Sequence, residues 1–329
     1  MKLQIPEPLQ LREEAICTAL RRAAGTGGET GEAAELLEAI LLPHLEKESV
    51  DVLQPLGLLS CLARGEVTPE MAELIPQIDQ LASDRRDLRV EHATILSGIK
   101  RLVAAAREEG KSRHVRFAER LLFRAWLDES IFSPLAILIG KYLRLRLHPS
   151  ATFTDAPPSL GARMEFDIPE SLRVSHAQLN AALAEAMRVG GQTMVAAEVV
   201  APLLELHLHK EDKEVLRILG LLEPLQADGI NLADAPEFSE LDEIETIECA
   251  LHEEHVVLVM AAEKLLASAH AEGADEVAEF AERLLLRIRL DEEIFYPAAL
   301  LVRNYLRLKR RNQSSAEVAS SEKGYENRD

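Results

Sequence analysis

The sequence has few aromatic residues, few cysteines and no excess of positive charge, and each shortage excludes a class of protein. Aromatic residues make up 4% of the 329 residues and runs of β-branched residues are scarce, which argues against a β-sandwich or β-barrel. The 37 Lys and Arg residues are outnumbered by 56 Asp and Glu residues, so the formal net charge is −19. Because binding to nucleic acids or anionic membranes needs a basic surface, we expect neither partner.

The sequence has three cysteines, and neither a signal peptide nor a membrane-spanning segment is predicted from it. Cys17, Cys61 and Cys249 are an odd number of widely spaced residues, unlike a disulfide framework or a zinc finger. The N-terminal stretch has no apolar segment typical of a signal peptide, and no apolar run approaches the ~20 residues that span a membrane. These features predict a cytoplasmic protein.

The sequence does contain an internal repeat. A shift of 163 residues places FAERLLFRAWLDESIFSP, from Phe117, on FAERLLLRIRLDEEIFYP, from Phe280, and it also aligns IPEPLQ with IPESLR. From Phe117 to Leu145, 19 of 29 residues are identical to their partners. A chain of this length is expected to form about two domains of roughly 100–200 residues each. We therefore predict two homologous units that arose by internal duplication.

Composition marks the boundaries of these units. Residues 148–167 are rich in Pro, Ser, Gly and Asp, which is typical of a linker. Residues 312–329 are polar and nearly without large apolar side chains, which predicts a disordered tail. The predicted organisation is a first unit over residues 1–147, a linker at 148–167, a second unit over 168–311 and a tail at 312–329.

Apolar residues in both units recur at helical spacing. In the second unit this periodicity predicts four long amphipathic helices near residues 169–189, 195–225, 240–272 and 275–309. In the first unit, residues 68–83 are predicted to add a short helix. Four helices with short first and last connections favour an antiparallel bundle. The predicted fold class is all-α, with two tandem antiparallel four-helix bundles.

Several polar residues fall on the inner faces of these helices. His207 and Glu211 are four residues apart on the second helix, so both side chains lie on one face about one turn apart. The repeat supplies further residues of this kind: His44 and Glu48 on the other second helix, His92 and His255 on the third helices, and Asp128 and Asp291 on the fourth. The first helices differ, with Glu13 in one unit and His176 in the other.

This order of motifs resembles the hemerythrin-like (HHE cation-binding) family. The segments VSHAQL around His176, HLHKE from His207 and DEEIFYP from Asp291 are similar to the family's motifs on the first, second and fourth helices. The resemblance implies a four-helix bundle around a non-haem di-iron centre, and manganese suits the same ligands. The ligands it implies are His176, His207, Glu211, His255 and Asp291 in the second unit, and His44, Glu48, His92 and Asp128, with Glu13 as a further candidate, in the first.

Both units depart from the family pattern at one position. Their fourth helices carry Arg124 and Arg287 where the family has His, and a guanidinium cannot ligate a metal because it stays protonated. The altered site is richer in carboxylates, which favours oxidase-like chemistry over reversible oxygen storage. His252, Asp51 and Glu214 are additional ligand candidates on the neighbouring helix faces.

The sequence therefore predicts a cytoplasmic non-haem iron or manganese protein that senses O2, NO or peroxide, or handles iron, together with a partner protein. Two alternatives stay open: a di-metal oxidase or peroxidase, and a metal-free helical scaffold or adaptor with a buried Arg–carboxylate network. We also expect the two bundles to pack together, with the repeated YLRL segments as candidate contacts. Assembly into a homo-oligomer is compatible with such a duplication.

Overall fold

The structure is a computed structural model that describes residues 3–148, 167–227 and 244–326, with side chains described up to residue 312. Every regular element in these ranges is helical, which confirms the predicted all-α class. The predicted linker falls almost entirely at residues 149–166, outside the described residues, as does the connection at residues 228–243. Within the described ranges, no helix is both long enough and apolar enough to cross a lipid bilayer.

The described part of the first half contains eight α-helices, and the first two of them are long. Its helices are α1 Glu7–Ala24, α2 Gly28–Glu48, α3 Gln54–Leu56, α4 Leu59–Ala63, α5 Ile75–Ser83, α6 Arg85–Glu108, α7 Ser112–Leu127 and α8 Ser133–Leu147. A 3-10 helix at Pro69–Leu74 precedes α5, so the short helical segment predicted for residues 68–83 is present. Wide π-helical turns follow α2 at Ser49–Leu53 and α7 at Asp128–Phe132.

The second half repeats this order of elements. Its helices are α9 Glu170–Ala186, α10 Gly191–Glu211, α11 Arg217–Leu219, α12 Leu222–Gln226, α13 Ile244–Glu272, α14 Asp275–Leu290 and α15 Tyr296–Glu326. Its π-helical turns lie at Asp212–Leu216 and Asp291–Phe295. The shift of 163 residues that aligns the sequences carries α2, α3, α4, α7 and both π turns onto the bounds of their second-half partners.

Three of the predicted helix bounds differ from the structure. The stretches predicted as single helices over residues 195–225 and 275–309 are interrupted by π turns after Glu211 and Leu290, which a regular apolar period does not reveal. The last helix continues past its predicted end at residue 309 to Glu326, into the stretch for which we predicted disorder. Extending an existing helix needs no new nucleus, and this stretch keeps helix-favouring residues such as Ala and Glu.

The starts of α2 and α10 are built alike. Gly28 and Gly191 begin these helices with φ of +68° and +66°, a region that favours glycine. The carboxylate of Glu109 accepts hydrogen bonds from the backbone N–H groups that follow Gly28, and Glu272 does the same after Gly191. A Cβ atom at either glycine would collide with that carboxylate. These contacts fix the start of each ligand-bearing helix against the end of α6 or α13.

The long helices of each half are mutual neighbours. In the first half α1 packs on α2, α2 on α6, α6 on α7 and α7 on α1. In the second half α9 packs on α10, α10 on α13, α13 on α14 and α14 on α9. Each half has an apolar core of its own, and a third core takes residues from both halves.

The third core joins the two halves. The rings of Phe132 and Phe295 stack in it with their centroids 6.4 Å apart. Tyr142 and Tyr305, the first residues of the two YLRL segments, are both buried in the same core. The candidate ligands Asp128 and Asp291 belong to the π turns that lead into this core, so the shared packing positions them.

Candidate metal centre

Two buried imidazoles face each other in the second half. His207 on α10 and His255 on α13 are 2% and 1% exposed, and their Nε2 atoms lie 3.1 Å apart. Burial lowers the pKa of His207, and it also lowers that of His255, with His207 as a further cause. Both rings are therefore held in the neutral form that a metal requires of an imidazole ligand.

The other nitrogen of each ring points at a carboxylate. His207 Nδ1 lies 3.4 Å from Glu254 Oε2, and His255 Nδ1 lies 3.0 Å from Glu292 Oε1. With Nδ1–H as the donor in both contacts, each Nε2 atom carries a lone pair and the two lone pairs face one another. A cation between them relieves this repulsion. A carboxylate behind each imidazole is also the arrangement that orients histidine ligands in metal sites.

Asp291 supplies a third donor. Ligand atoms of His207, His255 and Asp291 all lie within 4.8 Å of one another, and all three residues are buried. Burial raises the pKa of Asp291 well above its usual range, although the Arg287 guanidinium opposes this. A cation held by the imidazoles would favour the ionised carboxylate. Two imidazoles and a carboxylate suit a divalent transition metal such as iron or manganese.

Arg287 occupies the space beside this group. Its Nη2 atom lies 3.0 Å from Glu211 Oε1, 2.8 Å from Asp291 Oδ1 and 3.3 Å from His176 Nε2. The guanidinium thus contacts three of the residues that the family resemblance assigns to the metal pair. It brings a single, permanent positive charge to these carboxylates.

The carboxylates and the imidazole around Arg287 have shifted acidities. Burial acts to raise the pKa of Glu211, but Arg287 and His176 hold it far below its usual range. Burial acts to lower the pKa of His176, but hydrogen bonds to Asp212 and Glu211 raise it overall. His176 Nδ1 lies 2.9 Å from Asp212 Oδ1, so this ring is shared between two carboxylates. Its role as a metal ligand stays a prediction, as does that of Glu211.

Tyr296 closes the second-half group. Its hydroxyl oxygen lies 3.3 Å from His255 Nε2, and its ring stacks on His255 with the centroids 5.5 Å apart. Burial is the largest of the causes that raise the pKa of Tyr296. Sequence reasoning did not single out this residue, because its counterpart in the repeat is Ser133.

The first half has a matching pair of imidazoles. His44 Nε2 and His92 Nε2 lie 3.1 Å apart, and His44 Nδ1 lies 3.2 Å from Glu91 Oε2. His44 is buried and His92 is half-buried. Burial, with His44 as a second cause, lowers the pKa of His92. Within the residues that the structure describes, only His44 of this pair has a carboxylate at Nδ1, so the first half repeats the spacing of the two Nε2 atoms but only one of the two supporting carboxylates.

Arg124 holds the carboxyl groups of the first half. It donates to Asp128 Oδ2 at 2.5 Å, to Glu13 Oε1 at 2.5 Å and to Glu48 Oε2 at 2.7 Å. The remaining oxygens, Glu48 Oε1 and Asp128 Oδ1, are buried and accept no hydrogen bond from any residue that the structure describes. Buried carboxylate oxygens without a partner are costly, and a metal ion would satisfy them.

Small ligands can reach the first-half pair. A cavity of about 20 Å³ is lined by His44, Glu48, His92 and Ser133, among others, which is enough for one water-sized group. A larger cleft of about 510 Å³ also borders His92 and Ser133. In the second half the residue that corresponds to Ser133 is Tyr296, whose side chain is much larger.

The remaining sequence candidates lie around these groups. Asp51 borders the small first-half cavity, and Glu214 pairs with Lys213 at 2.9 Å. His252 contacts Glu292 at 2.9 Å and its side chain is 65% exposed, so it supports the carboxylate rather than facing His207. The supporting carboxylates Glu91 and Glu254 had a signal in the sequence, since a Glu directly precedes the third-helix His in both units.

No family model matches this chain, and no match is found among curated proteins or solved structures. The inference of function therefore starts from the residues of the two sites.

Proposed function

We propose that the protein binds non-haem iron, with manganese as the alternative metal, at a site in each half. The observation that carries this proposal is the pair of Nε2 atoms 3.1 Å apart in both halves, with a carboxylate behind both rings in the second half and behind His44 in the first. Neutral imidazoles in this arrangement are best satisfied by a shared cation. In the second half His207, His255 and Asp291 would hold the metal.

The proposal assigns one metal ion and one guanidinium to each half, in place of two metals. Arg287 and Arg124 contact the carboxyl groups that a second metal would need. When bound, the metal supplies a Lewis-acidic position for a small ligand such as O2, NO or peroxide. The residues around it hold the imidazoles in one tautomer, balance the charge and limit the entry of water.

The wider proposal is a tandem pair of hemerythrin-like four-helix bundles that senses such ligands or handles iron in the cytoplasm, through a partner protein. The closed ring of four helices in each half and the repeated element bounds support the duplicated bundle. The small cavity beside His44 and His92 supports a role for a small ligand.

Metal analysis tests the proposal. Protein purified without oxygen from iron-replete cells is expected to contain about two metal ions per chain, and His207→Ala and His44→Ala are each expected to remove one of them. His270→Ala, at an exposed position on the same helix as His255, serves as the matched control and should change nothing. Protein without stoichiometric metal, or a His207→Ala variant with full metal content, would contradict the proposal.

A metal-free scaffold is the second candidate, favoured by the buried networks around Arg124 and Arg287. The two candidates differ in their response to a chelator. If metal is bound in the folded state alone, removing it lowers the melting temperature, since binding adds its free energy to folding. A melting temperature unchanged by chelator, in protein that was first exposed to iron and to manganese, would favour the scaffold.

A further inference from the structure

A cavity of about 250 Å³ lies between the two halves, where α1 and α7 of the first half face α9 and α14 of the second. Most of its walls are apolar side chains, including Phe117 and Leu121 from one half and Leu286 and Leu290 from the other. Among the described residues that line it there is no Asp or Glu. It is separate from the small cavity beside His44.

The polar part of the walls is dominated by arginine. The lining contains Arg12, Arg120, Arg124, Arg283 and Arg287. Arg120 is paired with Glu279, and the neighbouring Arg116 is paired with Glu276 at 2.8 Å. Arg283 adds a third positive charge to this group and forms no ion pair within the described part of the chain. The group thus has an excess of positive charge beside an apolar space.

Several guanidinium donors in these walls have no acceptor within the described ranges of the chain. Arg283 donates only from Nε, to the backbone oxygen of Glu279 at 3.3 Å. Arg287 is 8% exposed, and its Nη1 atom makes no hydrogen bond, as is also true of Arg12 Nη1. Donors that are buried without acceptors are rare because each one costs free energy.

The size of the space limits the ligand. An apolar cavity of about 150 Å³ is known to hold benzene, so 250 Å³ accommodates a longer apolar body. An apolar space bordered by unpaired guanidinium groups, with no acidic residue in its walls, matches a molecule with one anionic group and an apolar remainder.

We propose that this cavity binds an amphipathic monocarboxylate, such as a medium-chain fatty acid or an arylalkanoic acid, with its carboxylate on Arg283. The apolar body lies between the helices of the two halves. The site is distinct from the metal centres and does not depend on them, although Arg124 and Arg287 border both.

Titration calorimetry on the full chain tests this assignment with sodium octanoate and sodium 4-phenylbutyrate as probes. We expect one site per chain, and a loss of affinity of about tenfold or more in Arg283→Gln, since a charge-assisted hydrogen bond is removed. Arg283→Lys should retain more affinity than Arg283→Gln. Leu286→Phe should weaken both probes by reducing the volume. Arg101→Gln, an exposed change on α6, is the matched control.

Two further probes separate the contribution of the apolar body of the ligand from that of its anionic group. Octanol tests the apolar body alone and inorganic phosphate tests the anion alone, and each is expected to bind at least about tenfold more weakly than octanoate. Octanol that binds as well as octanoate, or an Arg283→Gln variant with unchanged affinity, would overturn the assignment. Repeating the titration after chelator treatment should give the same affinity, so failure of the metal proposal would leave this result unaffected.

Discussion

The two halves carry the same pair of imidazoles but differ in what covers it. In the second half Tyr296 stacks on His255, which is 1% exposed. In the first half Ser133 leaves a cavity of about 20 Å³, and the half-buried His92 borders a cleft. The serine-to-tyrosine difference at this position coincides with the difference between the bordered cavity of the first half and the covered pair of the second. The same pair of imidazoles is therefore found with two different coverings.

A second difference shows how charge is balanced. The first half has Arg12 and Glu13 on α1, where the second half has Ser175 and His176 on α9. The Arg12 charge lowers the pKa of Asp128, against the larger effect of burial, so it acts on the same carboxyl cluster as Arg124.

With all carboxyl groups ionised, the first site sets two guanidinium groups against three carboxylates, and the second sets one against two. Within these groups alone, with Asp212 beside His176 left out, each count leaves one net negative charge. Replacing Arg12 and Glu13 by Ser175 and His176 removes one positive and one negative charge, so this count is the same in both halves.

The largest expected effect is the loss of either central arginine. Arg287→Ala and Arg124→Ala should each lower the free energy of unfolding by about 3–5 kcal/mol, because buried carboxylates lose their counter-charge. We expect Arg124→Ala to be the more damaging, since three carboxyl groups depend on it. Urea denaturation measures both, with the exposed Arg188→Ala as control.

Adding Mn2+ to the Arg287→Ala variant tests whether the guanidinium replaces a metal ion. If the guanidinium takes the place of a second cation, Mn2+ should restore part of the stability of Arg287→Ala and raise its metal content by one ion per chain. A variant that loses stability but gains none from Mn2+ would show that the arginine is a structural counter-charge alone.

The next test exchanges the residues that lie over the two imidazole pairs, Tyr296 and Ser133. Tyr296→Ser should cost about 2–3 kcal/mol of stability, as expected for a large buried side chain replaced by a small one. With iron loaded, nitric oxide should bind rapidly to one site per chain in the wild type, to two in Tyr296→Ser and to none in Ser133→Tyr. Spectroscopic titration counts the sites, and rapid binding at both sites of the wild type would show that Tyr296 does not control access.

The smallest expected effect lies at the helix starts. Hydrogen bonds from Lys111 and Thr30 lower the pKa of Glu109 to about 2 from an ordinary 4.5. A lowered pKa stabilises the folded protein above pH 4.5, and this stabilisation is lost as the pH falls towards 2. Glu272 also has a lowered pKa, but Ala274 stands in place of Lys111.

Glu109→Gln should therefore remove more of the acid-induced loss of stability than Glu272→Gln. Denaturant midpoints between pH 5 and pH 2 measure the difference. Equal changes in the two variants would mean that Lys111 contributes nothing.

Much of the helical framework was visible in the sequence, for identifiable reasons. The period of the apolar residues predicted α9 and α13 to within a few residues and the start of α14, and the positive-φ glycines at Gly190, Gly191 and Gly273 lie at predicted ends. The spacing of His207 and Glu211 placed both on the buried face of α10. The π turns were missed because they insert a wide turn without breaking the apolar pattern.

The site was predicted only in part. The sequence indicated which residues face inwards, but it could not show that Arg287 would take His176 and Glu211 as partners while Asp291 also approaches His207. Which residues contact Arg287 and which approach His207 depends on distances between four helices, and these distances cannot be predicted from any one segment of the sequence. Tyr296 was missed for the same reason, since its role arises from stacking on another helix.

The core shared by the two halves has a consequence for folding. Phe132 and Phe295 stack although they are far apart in sequence, and Leu62 and Ala63 accept hydrogen bonds from Asn304. Such contacts form only after most of the chain has been synthesised, and long-range contacts of this kind slow folding. We expect a single cooperative unfolding transition rather than two, so that neither half survives as an autonomous folding unit once it is cut from the other.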